Sequence, residues 1–238
     1  MHKIERGSGA TISYPCVLKT GKGVVDQARY MKKAPAVFAG VQSFGVADNG
    51  EEFMVMPQYT PLQYALNQEE PLVRAVEKLK ILWHKTLNTR RSITRGQYMN
   101  YVAKCEAPQR IRDLCLDFFI ATAATPGTLV SNVHGDATVQ NIVLSEKDAF
   151  WIDPNPRPVP LEAELDIGKL AQSLAGYDFI RDPADRYLAE FVGRSNKPLV
   201  QFYLATHIAR LWKYQPNQRD WAEATMDKLE KGGLDACL

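Results

Sequence analysis

The sequence predicts an α+β protein, with a small β-rich N-terminal part followed by a larger helical part that carries one embedded hairpin. Three observations lead there. Apolar runs flank Asp48-Asn49-Gly50, and Asn-Gly enters the positive-φ conformations of a tight hairpin turn at low cost. Leu72, Val76, Leu79, Leu82 and Trp83 recur at helical spacing within 71–87, and Leu87 continues the face. NIVL and AFWI, separated by Ser145-Glu146-Lys147-Asp148, then return to strand character well inside the helical part.

The elements follow in order. Residues 11–20 (TISYPCVLKT) are β-rich, and their proline suits an edge or a turn between two short strands. Residues 24–34 form a short helix that Pro35 stops. Residues 36–59 hold two strand-like apolar runs, with Gly45 as a bulge or a loop between strands. The helix over 71–87 comes next, and residues 88–109 are polar and carry no clear assignment. A second helix spans 110–122. Residues 129–153 read as strands: LVSNVHGD, NIVL and AFWID. Four of the fourteen prolines fall in 154–160, which must be an extended loop. Helices over 166–175, 184–193, 198–214 and 219–231 complete the chain, and Gly232-Gly233 stops the last.

Composition narrows the function. With 238 residues, one large domain or two lobes can bury a core unaided. A net charge of +2 gives no reason to expect a nucleic-acid partner. Cys16, Cys105, Cys115 and Cys237 have no CxxC spacing, so they read as free thiols in a reducing cytosol. The N-terminus has no apolar core, and the longest uncharged stretch, 118–134, is too polar to span a bilayer. The expectation is a cytoplasmic protein with no membrane partner. His84 and His207 read as packing or surface residues, and Trp83, Trp151, Trp212 and Trp221 as core anchors. Arg90, Arg91 and Arg95 read as a solvated loop, or else as contacts for an anionic substrate.

The chemistry lies in HGDATVQNIVLSEKDAFWIDP (134–154). Asn141 follows Asp136 by five residues, and Asp153 follows Asn141 by twelve across the hairpin. The first spacing is that of the kinase catalytic loop H-R-D-x-x-x-x-N. Phosphoryl transfer needs one carboxylate to orient and deprotonate the attacking hydroxyl, and a second carboxylate with an amide oxygen to hold Mg²⁺ on the phosphates. No GxxxxGK[ST], GxSxG, HExxH or dinucleotide fingerprint competes with it.

HGDxxxxN followed by IDP resembles the aminoglycoside phosphotransferase and choline kinase branch of the protein kinase-like superfamily. LDIGKLAQSL (165–174) is similar to the family's D-L-A-x-L helix, and DIGKLAQSLAGYDFI also resembles phosphotransferases of surface-sugar biosynthesis. ILWHKTL resembles the L-H ending of the helix before the catalytic loop. The resemblance implies a two-lobed fold, with the N-lobe over 1–59 and the C-lobe over 60–238. It implies Asp136 as catalytic base, Asn141 and Asp153 as Mg²⁺ ligands, and His134 and Asp166 as supports of the loop. Gly7, Ser8, Gly9, Ala10 and Thr11 are similar to the loop over the ATP phosphates. Lys19 falls where the family contacts the α/β-phosphates. EFMVMPQY (52–59), with Met56 and Gln58, looks like the strand and hinge that receive adenine. ATP is the implied donor, with GTP as the alternative.

The chain also departs from the family. Residues 20–50 contain no Glu to pair with Lys19, which leaves Asp26 or Gln27 in that place, and only six residues precede Gly7. The implied acceptor is a hydroxyl of a sugar, aminoglycoside or amino alcohol, with Glu162, Glu164 and Asp178 as candidates to hold a cation. The alternatives are a protein Ser/Thr kinase, which the prolines at 154–160 disfavour, and a nucleotide-binding pseudokinase. No protein partner is legible.

Overall fold

The computed structural model describes residues 10–13, 16–84, 93–155 and 160–238. Strands β1 (Ala10–Ser13), β2 (Cys16–Thr20), β3 (Ser43–Val46) and β4 (Glu52–Pro57) form an antiparallel sheet in the order β1-β2-β4-β3. Helix α1 (Val24–Lys33) connects β2 to β3. Gly21 and Gly23 turn the chain into α1 at φ 121° and 88°. The Glu52 carboxylate accepts from Gly23 N at 2.8 Å and Val25 N at 3.1 Å, satisfying two free N–H groups at the positive end of the helix dipole. Val24, Ala28 and Met31 turn its buried face to the sheet side.

The β3–β4 hairpin is present at the expected Asn-Gly turn, with a loop that spans residues 47–51. Gly50 N bonds Ala47 O, Ala47 N bonds Glu51 O, and of the turn residues Gly50 alone has positive φ. Gly45 is no bulge: it pairs in register with Phe53, whose ring an added Cβ would touch at 3.4 Å. Residues 36–41 do not form the expected strand either. Phe38 makes a single parallel bridge to Trp151, with Ala39 N bonded to Trp151 O and Trp151 N to Val37 O. The apolar run thus ties the first sheet to the hairpin of the helical part.

That hairpin, β6 (Ile142–Leu144) and β7 (Ala149–Trp151), forms a second sheet with β5 (Thr60–Pro61) in the order β5-β6-β7. Around it stand α2 (Glu69–His84), α3 (Arg95–Val102), α4 (Gln109–Thr122), α5 (Ala163–Gln172), α6 (Ala184–Gly193), α7 (Lys197–Tyr214) and α8 (Arg219–Gly232). A π turn (Ser173–Tyr177) extends α5. Helix α7 is buried on nearly every side between α4, α5 and α8, which is why its sequence is apolar all round.

Helix α3 arises in the segment without assignment, through a capping box that the Thr94-x-x-Gln97 spacing spells out: Gln97 N bonds the Thr94 hydroxyl and Thr94 N the Gln97 side chain. Residues 129–133 are not a strand. Leu129 makes one bridge, to Glu162, and Val130 N bonds Leu161 O, with no further ladder. The proline loop over 154–160 lies largely outside the described residues. Among those residues no helix is long and apolar enough to cross a membrane.

Candidate active site

The loop at 134–136 is held from behind by α5. Asp166 accepts from His134 N and Gly135 N, both at 2.8 Å, and from Trp83 Nε1 at 3.0 Å. Burial raises its carboxyl above the usual range, against the pull of His134 and of these donors. His134 shows its Nε2 to Ile152 O at 2.9 Å, which can only accept, so Nε2 carries the proton. Nδ1 then accepts from Asp136 N at 3.3 Å. Burial lowers the imidazole pKa, so the ring is a neutral spacer between the two loops with both nitrogens engaged. Gly135 has φ 78°, and a Cβ there would lie 3.1 Å from Asn155 Cβ and O, so a side chain at the middle position of H-G-D would be strained and would press on Asn155.

Asp136 points its half-exposed carboxylate at Lys169 Nζ, 3.0 Å away on α5. Desolvation works to raise this carboxyl, but the charge and hydrogen bond of Lys169, with smaller contributions from His134 and His207, hold the pKa below the usual range. Asn141 Nδ2 donates to Asp136 O at 2.8 Å, which turns its amide oxygen the other way. Ile152 N bonds Asn141 O, bringing the end of β7 beside Asn141. Asp153 follows with φ 54°, a strained angle for a non-glycine residue, and its Oδ1 meets Lys19 Nζ of β2 at 2.7 Å. Asp26 does not reach Lys19: it pairs with Arg29 at 3.4 Å on the surface. Gln27 Nε2 donates to Pro154 O at 3.0 Å, and its buried Oε1 has no hydrogen-bond partner among the described residues.

A cavity of about 570 Å³ opens here. Lys19, Gln27, Asp136 and Asp153 line it together with Lys169, Tyr177, His207, Arg210 and Tyr214. Asn141 stands behind Asp136. A carboxylate and an amide oxygen are hard donors suited to Mg²⁺, an ion that takes only one or two protein ligands and fills its shell with water and phosphate oxygens. Among the described residues no group of three or more His, Cys, Asp or Glu side chains forms an all-protein metal cage.

No family model matches the chain, and no curated protein matches it in sequence. Solved structures do. A choline/ethanolamine kinase family protein from Mesorhizobium loti is 17% identical at TM-score 0.64, over 96% of this chain and 87% of that one. Aminoglycoside phosphotransferase APH(3'')-Id from Streptomyces rimosus, in complex with ADP and streptomycin, is 15% identical at TM-score 0.58, over 86% and 94%. A thermostable mutant of aminoglycoside phosphotransferase APH(4)-Ia, in ternary complex with AMP-PNP and hygromycin B, is 12% identical at TM-score 0.72, over 99% and 92%. The chain has the kinase-like fold.

Within this kinase-like fold the expected residues fall in three groups. Lys19, Asp136 and Asp153 converge on the cavity, with Asn141, His134 and Asp166 bonded around them. Ala10 and Thr11 lie in β1, where Ala10 pairs with Lys19 and Thr11 with Leu18, while Gly7, Ser8 and Gly9 lie outside the described residues. Met56 is buried in β4 opposite Val17 and Gln58 is exposed just after it; neither lines the cavity.

The acidic residues expected to meet a cationic acceptor are committed elsewhere. Glu162 accepts from Tyr203 OH at 2.6 Å and pairs with Arg95 at 3.2 Å. Glu164 accepts from Thr128 N at 2.9 Å and from its hydroxyl at 2.7 Å. Asp178 accepts from the Ser173 hydroxyl and Gln140 N. None of the three lines the cavity. Arg95 is likewise no solvated loop residue: it donates to the Thr122 and Thr125 carbonyls besides its pair with Glu162. Arg90 and Arg91 lie outside the described residues.

Sequence reasoning missed Lys169 and Arg210. Lys169 was findable, because it stands three positions after Asp166, on the adjoining face of the same helix. Arg210 carries no local signal; only the docking of α7 against α5 brings it to the cavity.

Proposed function

We propose that the chain is an ATP- and Mg²⁺-dependent phosphotransferase that moves the γ-phosphoryl group to a hydroxyl of a small molecule. The observation that supports it most is the convergence of Asp136 and Asp153 on one cavity, each held by a lysine from a different element. In this reading the N-lobe ends at residue 59. The backbone at Met56 and Gln58 receives the base of the nucleotide, beyond Val55 where β3 stops covering β4. Residues 7–11 and Lys19 lie along the phosphates.

Asp136 orients the acceptor hydroxyl and takes its proton. It is suited to that task because Lys169 keeps it ionised and Asn141 fixes its backbone. Asn141 and Asp153 would hold Mg²⁺, which supplies charge neutralisation on the phosphates. Lys19, now paired with Asp153, is placed to share that carboxylate with an arriving phosphate. Asp166 and His134 keep the two loops at fixed separation. The four free thiols fit a reducing compartment, so we place the reaction in the cytoplasm.

Calorimetric titration with ATP, with and without Mg²⁺, tests this. Metal-dependent binding that Asp153→Ala removes is the expected result; no binding at millimolar ATP defeats the proposal.

A further inference from the structure

Resting on the phosphotransferase reading, the geometry points to an acceptor that carries its own anionic group, a phosphate or a carboxylate, received by Arg210. The hydroxyl to be phosphorylated must lie at Asp136. Beyond Asp136 the wall of the cavity comes from α5, the π turn and the C-terminal half of α7: Lys169, Tyr177, His207, Arg210, Tyr214 and Gln215. Among the described residues this wall carries two basic side chains, Lys169 and Arg210, and no carboxylate.

Among the described residues the acids lining the cavity are Asp26, Asp136 and Asp153, and each is already paired: with Arg29, Lys169 and Lys19 respectively. An ammonium on the acceptor would therefore find, among the described residues, no lining acid without a basic partner, and would meet Arg210. An anion meets the opposite situation. Arg210 is half-buried and forms no ion pair among the described residues. A guanidinium partly stripped of water, with no direct ion pair and only the more distant Asp136 charge acting on it, is stabilised by an anion, and its planar fork matches phosphate and carboxylate alike.

The fork is also aimed. Arg210 Nη1 donates to Tyr98 OH at 3.2 Å, and the guanidinium lies 5.8 Å from the centre of the Tyr98 ring. Tyr98 OH in turn faces His207 Nδ1 at 3.0 Å, and His207 Nε2 faces Leu165 O at 3.0 Å. The carbonyl can only accept, so Nε2 bears the proton, Nδ1 accepts from Tyr98, and the Tyr98 oxygen is left free to accept from Arg210. Burial and the nearby charges of Lys169 and Arg210 keep this imidazole neutral. The relay runs through buried groups, so the guanidinium is oriented before any ligand arrives.

The test is calorimetry on the full chain saturated with ADP and Mg²⁺, titrated with glucose 6-phosphate, gluconate, glucose and choline. At least one of the two anions is expected to bind about tenfold or more tightly than glucose and choline. Preference for glucose 6-phosphate assigns a phosphate, and preference for gluconate a carboxylate. Arg210→Gln should weaken the preferred anion by about tenfold or more while ADP affinity stays within about twofold. Arg210→Lys keeps the charge and loses the fork, so it should fall between the two, and it serves alone if Arg210→Gln does not fold.

The inference is overturned if glucose or choline binds as tightly as both anions, or if no anion binds. It is equally overturned if anion affinity is unchanged in these variants, or if Arg210→Gln weakens ADP instead. Failure of the phosphotransferase reading looks different: ADP with Mg²⁺ does not bind, while the free protein still takes up the anion in an Arg210-dependent way.

Discussion

Two lysine–aspartate pairs line the cavity, and they are built differently. Lys19 of β2 reaches Asp153 across 134 residues of sequence, from the first sheet to the loop after the second, and the two side chains are 9% and 27% exposed. Lys169 reaches Asp136 inside the helical part, where Asp166, three positions before Lys169, already clamps the loop that carries Asp136. There the carboxylate is 45% exposed. The first pair exists only while the two sheets keep their separation, so it responds to whatever enters between them. The second is built into the same unit as the 134–136 loop. A carboxylate that must release its lysine to a metal and phosphates belongs in the first arrangement. One that must stay ionised and in place belongs in the second.

Cutting each pair at its acid should separate these roles most widely. Asp136→Ala is expected to lower turnover by about 10²- to 10⁴-fold, the usual worth of a positioned general base, with nucleotide affinity within a few-fold of the parent. Turnover near the parent value would remove Asp136 from the chemistry. Asp153→Ala should instead cost about 100-fold in Mg²⁺-dependent ADP affinity, as expected when a charged partner is lost from a half-buried site. Equal loss of affinity in both variants would erase the distinction between the pairs.

Cutting at the lysine gives a smaller and more pointed effect. Lys169→Met should lower turnover by about tenfold, and it should move the acid limb of the kcat/KM profile to higher pH, because the ammonium that holds Asp136 down has gone. Lys169→Arg should restore the limb. A limb that stays in place in Lys169→Met would mean that the pair is not formed in the working enzyme.

The same contrast separates what the sequence shows from what it hides. Lys19, Asp136, Asn141 and Asp153 are legible because the proposed phosphoryl transfer calls for their types and the hairpin fixes their spacing. The helices of the C-terminal half are legible because their apolar periodicity matches the helix repeat. The misreadings at 36–41 and 129–133 share one cause. Both segments are apolar enough for strands, yet each finds only an isolated bridge, to Trp151 and to Glu162, since whether an edge is free is a tertiary fact. The acidic trio Glu162, Glu164 and Asp178 failed for the converse reason. Charge in a sequence does not say which buried partner has already claimed it, and Tyr203, Thr128 and Ser173 had. Arg210 was invisible because its role depends on where α7 docks.

The smallest expected effect concerns the groups behind the pairs. His134 spaces the loops that carry both aspartates, whereas His207 stands behind the second pair alone, between Tyr98 OH and Leu165 O. Burial holds the pKa of His207 well below 6.5, with Lys169 and Arg210 adding to the effect. The unfolded chain protonates this ring near 6.5 while the folded chain does not, so below that pH the unfolded state binds the extra proton. Stability contributed by the neutral ring is therefore fully present above pH 6.5 and is lost as pH falls. Between pH 6.5 and about 5.5 the parent should lose about 1 kcal/mol more than His207→Gln, from one proton at about 1.4 kcal/mol per pH unit reached progressively. Urea midpoints at the two pH values measure it. Because His134 is present in both proteins, the difference isolates His207. Parallel losses would show that His207 takes up a proton in the folded state, where it could no longer accept from Tyr98.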